Sequence, residues 1–142
     1  ILQVIHPSLH NVCSQTLSTM QSNPNLRDSA TSWPTVFEVM ELIVNHATPW
    51  HWDSGGCPEA YDCLLNLGNC QEVRFDIADC GASLSYMPGS VIYLTGRVLM
   101  HSIEEWGAGW ERAVITHFTK DAVQNRLGVP CPKLPTFQQY LA

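Results

Sequence analysis

Basic side chains are scarce in this sequence: seven Lys and Arg stand against thirteen Asp and Glu, giving a formal net charge of −6. A protein that grips nucleic acid with its own surface normally carries a basic face that neutralises phosphates. The balance therefore argues against tight, unaided DNA binding, although a local groove or a further segment can supply the charge. Long apolar runs are missing as well. Pro, His, Asp or Asn interrupts each apolar stretch short of the roughly 18–20 residues that a membrane-spanning helix needs, so no such span is expected and the chain reads as soluble. The start shows no charged segment leading into an apolar signal core, and its first residue is Ile1, which suggests a piece excised from a longer protein. There is no CxxC pair among the six cysteines, no internal repeat and no low-complexity tract. Reduced, mostly buried thiols are the expected state, with a zinc site built from Cys57, Cys63 and Cys70 as the sharper alternative.

What is present is a chain of 142 residues, 45% hydrophobic, enough for one domain spanning 1–142 with one sizeable core. From Ile1 to Gln21, Val4, Leu9, Val12, Leu17 and Met20 recur with a helical rhythm, and Pro7-Ser8 suits a helix start. The stretch Ser22 to Ser32 is dense in turn formers and predicts an exposed loop. From Trp33 onward, short apolar runs alternate with Gly, Pro, Asn and Asp, which predicts a mainly β fold. Strands are expected near Val36–Val44, Thr48–His51, Tyr61–Leu67, Val73–Ile77, Leu84–Met87, Val91–Leu94, Val98–Ile103 and Ala113–Thr119. Eight short strands suit a jelly roll, with a core at about 33–120. Pro88-Gly89 suggests a hairpin turn, and DAVQNRLG a short C-terminal helix closed by Gly128 before a proline-broken tail.

His51-Trp52-Asp53 sits at the end of one predicted strand, where residues two apart share a face. His101 lies about fifty residues later on another strand that a jelly roll can fold back beside the first. Two histidines and one carboxylate form the facial triad of non-haem Fe(II) oxygenases, which leaves positions open for a co-substrate and oxygen. HxD alone is a weak signal in a chain with six histidines; the rival reading is a structural histidine satisfied by the backbone. Eleven residues after His101 comes Arg112, whose guanidinium matches a distal carboxylate by a bidentate contact. Its rival reading is an edge arginine paired to Glu104, Glu105 or Glu111. Trp50, Trp52, Tyr61 and Tyr93 are candidates either for lining a pocket or for core packing. His46 and His117 are expected to be structural, His6 and His10 to lie on the surface of the first helix, and Glu104 and Glu105 to be loop charges.

The order TPWHWDSGG, then YD, then YMPGSVIYLTGRVLMH, then RAVITHFTKDAVQNRLGV resembles the Fe(II)/2-oxoglutarate dioxygenase superfamily over Trp33 to Lys120, and within it the fungal branch of TET/JBP-like oxygenases. That resemblance implies a double-stranded β-helix, Fe(II) held by His51, Asp53 and His101, 2-oxoglutarate anchored by Arg112, O2 as the second co-substrate, and oxidation of a methyl group on a DNA base, 5-methylcytosine or thymine. It implies an intracellular, nuclear setting. Trp52 stands where this family usually has Arg, and Val114 where a small hydroxyl residue often assists the anchor. Two other readings stay open: an oxygenase acting on a protein or small molecule, and a metal-free jelly-roll binding module.

Overall fold

The computed structural model describes residues 1–136 and 138. Its strands are β1 (Val39–Val44), β2 (Thr48–His51), β3 (Asp62–Gly68), β4 (Arg74–Ile77), β5 (Ala82–Ser85), β6 (Val91–Leu94), β7 (His101–Ile103) and β8 (Arg112–Phe118). They build two four-stranded sheets, ordered β1-β8-β3-β6 and β2-β7-β4-β5, in which neighbours pair antiparallel. The chain changes sheet at every step except β4 to β5, which is the winding of an eight-stranded jelly roll. Opposed residues of antiparallel partners point to one face. The register Glu41–Thr116–Leu64 and Ile43–Val114–Asn66 thus sets one inner wall, and Phe75, Ile77, His101 and Ile103 set the other. Leu64, Cys70, Val73, Phe75, Ile77, Tyr86, Leu94, Ile103 and Val114 fill the space between them.

Two helices, α1 (Leu2–Ile5) and α2 (Pro7–Ser22), support this barrel. Pro7 supplies the fixed φ that suits a first helical position. His6, fully buried and not on the surface as expected, caps the helix by accepting from the Leu9 N–H at 3.3 Å. Leu9, Cys13 and Thr16 share one face of α2, and Leu9 and Cys13 pack with Leu2, Phe37, Cys57 and Ala60 into a second apolar cluster. Thr16 donates to Gln124 at 2.8 Å, fastening α2 to the C-terminal helix α4 (Asp121–Leu127), which Gly128 closes at φ 68° as expected.

Three expectations need correction. The turn-rich stretch contains a short helix, α3 (Arg27–Thr31): Ala30 is buried and its carbonyl accepts from Gln21, so packing and side-chain bonds override weak local propensity. Pro88-Gly89 forms the expected type of turn, with Ser90 N–H donating to Met87 at 3.0 Å and Gly89 at φ 86°. Yet β5 and β6 belong to different sheets, so the turn carries the chain across the barrel instead of closing a hairpin. Finally, the cysteines are not all separate thiols. The sulfurs of Cys57 and Cys131 meet in bonding contact, while Cys13, Cys63, Cys70 and Cys80 are free.

Candidate active site

A cavity of about 470 Å³ opens between the two sheets, with His51, Asp53 and His101 on one side and Arg112 among its lining. β2 is an edge strand of its sheet and carries Pro49, whose missing N–H is tolerated there. Its register against β7 shifts between the pairs Thr48↔Ile103 and His51↔His101, so three steps on β2 match two on β7. Residues three apart in a regular strand face opposite sides; the bulge turns both Thr48 and His51 into the cavity.

The ring orientations follow from the backbone. His51 Nδ1 lies 2.8 Å from the Pro49 carbonyl and His101 Nδ1 lies 2.9 Å from the Leu99 carbonyl. A carbonyl only accepts, so each Nδ1 is the protonated nitrogen and each Nε2 keeps its lone pair. Both Nε2 atoms face Asp53, at 3.4 Å from Oδ1 for His51 and 3.7 Å from Oδ2 for His101. Ligand atoms of the three residues lie within 4.8 Å of one another. Burial holds the His101 imidazole below its ordinary pKa, opposed by the Leu99 carbonyl and the Asp53 charge. That favours the neutral ring a metal requires. Phe75 stacks on His101 at 5.3 Å and fixes its plane.

Gly96 organises the carboxylate side. Its carbonyl accepts from Asp53 N–H at 3.0 Å and its own N–H donates to Asp62 Oδ2 at 3.1 Å. A Cβ at this position would overlap both the Asp53 and the Asp62 carboxylates, so only glycine lets them come together. Asp62 is 6% exposed, and burial, then the Asp53 charge, push its carboxyl up to about 7 against the pull of the Gly96 N–H.

Arg112, 3% exposed, enters the cavity from the start of β8. One of its terminal nitrogens donates to the His46 carbonyl at 3.1 Å, and the rings of Tyr86 and Trp106 lie 5.7 and 5.8 Å from its central carbon. Burial lowers its pKa, opposed only in part by the neighbouring Tyr86 and Cys70. Among the described residues it makes no ion pair with Glu104, Glu105 or Glu111, and its buried Nε has no hydrogen-bond partner. A buried cation with a spare donor in a cavity fits an anionic ligand group.

Of the other residues singled out from sequence, Trp52 lines the cavity mouth while 55% exposed. Trp50 faces a separate shallow recess with Glu104 and Glu105. Tyr61 and Tyr93 pack against the helical cluster, and His117 stacks on Phe37 at 6.3 Å outside the cavity. Val114, 1% exposed, lines the inner wall and offers no hydroxyl. Asp62, Gly96, Glu41 and Lys120 were not anticipated. Only Asp62 had a signal, as the polar member of an alternating strand run from Asp62 to Asn66.

No curated protein matches the sequence. Among solved structures, the chain is similar to NgTET1 in complex with 5mC DNA, with a TM-score of 0.58 and 16% identity over 90% of this chain and 48% of that one. At that identity the likeness speaks for the fold, and this chain spans about half the length of that protein. Protein NMB1881 from Neisseria meningitidis, at 15% identity, 56% of this chain, 71% of that one and a TM-score of 0.38, is too distant to bear on it. The model of the Tet_JBP family, described as the oxygenase domain of the 2OGFeDO superfamily, matches residues 1–121. With the jelly roll and that match in agreement, the chain belongs to the Tet_JBP oxygenases, a family that works with Fe(II) and 2-oxoglutarate.

Proposed function

We propose that His51, Asp53 and His101 hold the Fe(II), that Arg112 binds the far carboxylate of 2-oxoglutarate, and that the reaction is oxidation of a methyl group on a DNA base. The observation that carries the site assignment is the pair of imidazoles whose Nδ1–H groups are spent on carbonyls while both Nε2 lone pairs converge on Asp53. Backbone carbonyls that accept from Nδ1–H fix tautomer and ring angle before a metal arrives. When bound, iron and the keto acid supply the oxidising power: O2 is reduced, the keto acid leaves as succinate and CO2, and one oxygen atom enters a substrate C–H bond.

The chain's own residues do the rest. Arg112 offsets the charge of the far carboxylate at the cavity's buried end, leaving the keto acid's other end free to face the ligand cluster. Leu64, Phe75, Ile103 and Val114 keep that space apolar and exclude water. Trp52 and Phe118 flank the cavity and offer aromatic surface for an extruded base, and Lys120 adds one positive charge there. NgTET1 was solved with 5mC DNA, which supports the same substrate class for this chain. The net charge of −6 favours a second reading, an oxygenase for a protein side chain or small molecule.

Anaerobic titration with Fe(II) and 2-oxoglutarate, followed by the visible charge-transfer band of the chelate, tests the site. The expected result is a band that His101→Ala abolishes; a folded wild-type chain without a band overturns the assignment. Turnover of methylated DNA and of its unmethylated control then decides between the two substrate readings.

A further inference from the structure

A second recess, of about 400 Å³, lies where β2 meets the end of β7, and Trp50, Ser102, Glu104 and Glu105 are in its lining. It shares only Thr48 and Ile103 with the main cavity. Successive residues of a strand point to opposite faces. His101 and Ile103 line the cavity, so Ser102 between them projects to the other side of the sheet, into the recess. Ser102 is 4% exposed and its Oγ has no hydrogen-bond partner; even Asp76, opposite it in the β4–β7 ladder, does not take it. An unpaired buried hydroxyl is a cost that a ligand's polar group removes. Trp50 is 52% exposed, an indole face left open to solvent. Among the described residues neither Glu104 nor Glu105 enters a salt bridge, and no Lys or Arg lines the recess.

These three features select one chemical group. Two carboxylates attract a cation, an aromatic face adds to that attraction, and a serine oxygen without a partner accepts an N–H. A bare metal ion makes no use of the indole, and a quaternary ammonium has no N–H to give Ser102. We propose that the recess binds a primary alkylammonium group, as carried by a lysine side chain or a free diamine. Ser102 Oγ accepts from the ammonium, Glu104 and Glu105 balance its charge, and Trp50 covers its methylene stem. The net charge of −6 suits a basic partner. Trp50 lines this site while the next residue, His51, lines the cavity, so the two sites stand back to back on β2.

Fluorine NMR of the full chain labelled with 5-fluorotryptophan tests this. Of the signals from the five tryptophans, that of Trp50 is the one missing from Trp50→Phe. The expected result is a saturable shift of the Trp50 signal on titration with N-acetyl-lysine methylamide at low salt. Tetramethylammonium should bind about tenfold more weakly or worse, lacking the charged hydrogen bond, and Ser102→Ala should weaken the lysine derivative by a similar factor. Glu104→Gln with Glu105→Gln should cost about fivefold and flatten the salt dependence. Titration with 1,5-diaminopentane in parallel separates the sources, the tighter ligand naming the partner as protein lysine or free diamine. Ser102→Ala removes a hydroxyl that holds nothing in the fold, so it should unfold in urea like the wild type. A Trp50 signal that neither amine moves, equal affinity for tetramethylammonium, or an affinity unchanged in Ser102→Ala overturns the proposal.

Discussion

Replacing Asp62 with asparagine should flatten the pH dependence of stability in the metal-free protein. The Asp62 carboxyl ionises near 3.8 when free and at about 7 in the fold, because burial and the Asp53 charge oppose its ionisation. Between those values the folded state keeps a proton that the unfolded state has released. Stability therefore falls as pH rises, by about 1.4 kcal/mol per pH unit and on the order of 4 kcal/mol across the window. The stabilisation is fully present below pH 3.8 and gone above about 7. Asparagine offers an oxygen to the same Gly96 N–H without any charge to bury. Asp62→Asn should thus match the wild type near pH 4 and exceed it by up to about 4 kcal/mol at pH 8. Urea unfolding in the presence of a chelator, repeated at half-unit steps, reads this difference while other titrating groups cancel. Parallel stability curves for the two proteins would refute the reasoning.

Arg112→Ala should raise the 2-oxoglutarate concentration needed for half-formation of the chelate band by about 10- to 100-fold, the equivalent of a lost charged hydrogen bond, with iron binding retained. Gly96→Ala should weaken Fe(II) binding by at least about tenfold, because its Cβ displaces the Asp53 carboxylate; isothermal titration with Fe(II) under argon checks it. Leu9→Ala, at a fully buried position, should cost about 2–5 kcal/mol in urea unfolding. If DNA is the substrate, Trp52→Arg should tighten binding and steepen its salt dependence by about one phosphate contact, measured by anisotropy over a salt series; an unchanged slope would favour the small-molecule or protein reading.

Much of the barrel was legible because short apolar runs are separated by Gly, Pro, Asn and Asp, and β3 alternates between buried and less buried positions. The β2 and β6 bounds coincide with expectation, and β3 and β8 differ by a residue at each end. The HxD pair and His101 were singled out by type and spacing together with Arg112 and the family resemblance, since HxD alone is a weak signal. What could not be read was how they meet. The bulge at Pro49-Trp50 sets the facing of His51, and no local pattern announces it, since a bulge is defined by the partner strand. Pro88-Gly89 revealed its turn but not its destination, because turn chemistry is local and sheet membership is not. His6 looked like a surface residue because its burial depends on Tyr61, which meets it edge-on at 5.8 Å from a distant part of the chain. Asp62 and Gly96 matter only through each other and Asp53, a triangle drawn from three separate segments.

His51 and His101 stand opposite each other in the β2–β7 ladder, so an ion held by both would be a rung across it. A slip of one residue would send one imidazole to the other side of the sheet and break that rung. Metal at a hundredfold excess over its dissociation constant adds about 2.7 kcal/mol to whatever state binds it. Here that increment goes to the paired and correctly bulged form alone. The iron would thereby select the alignment of the strand edge that displays it, and metal starvation would first be felt as errors of registry at β2, before any loss of the barrel.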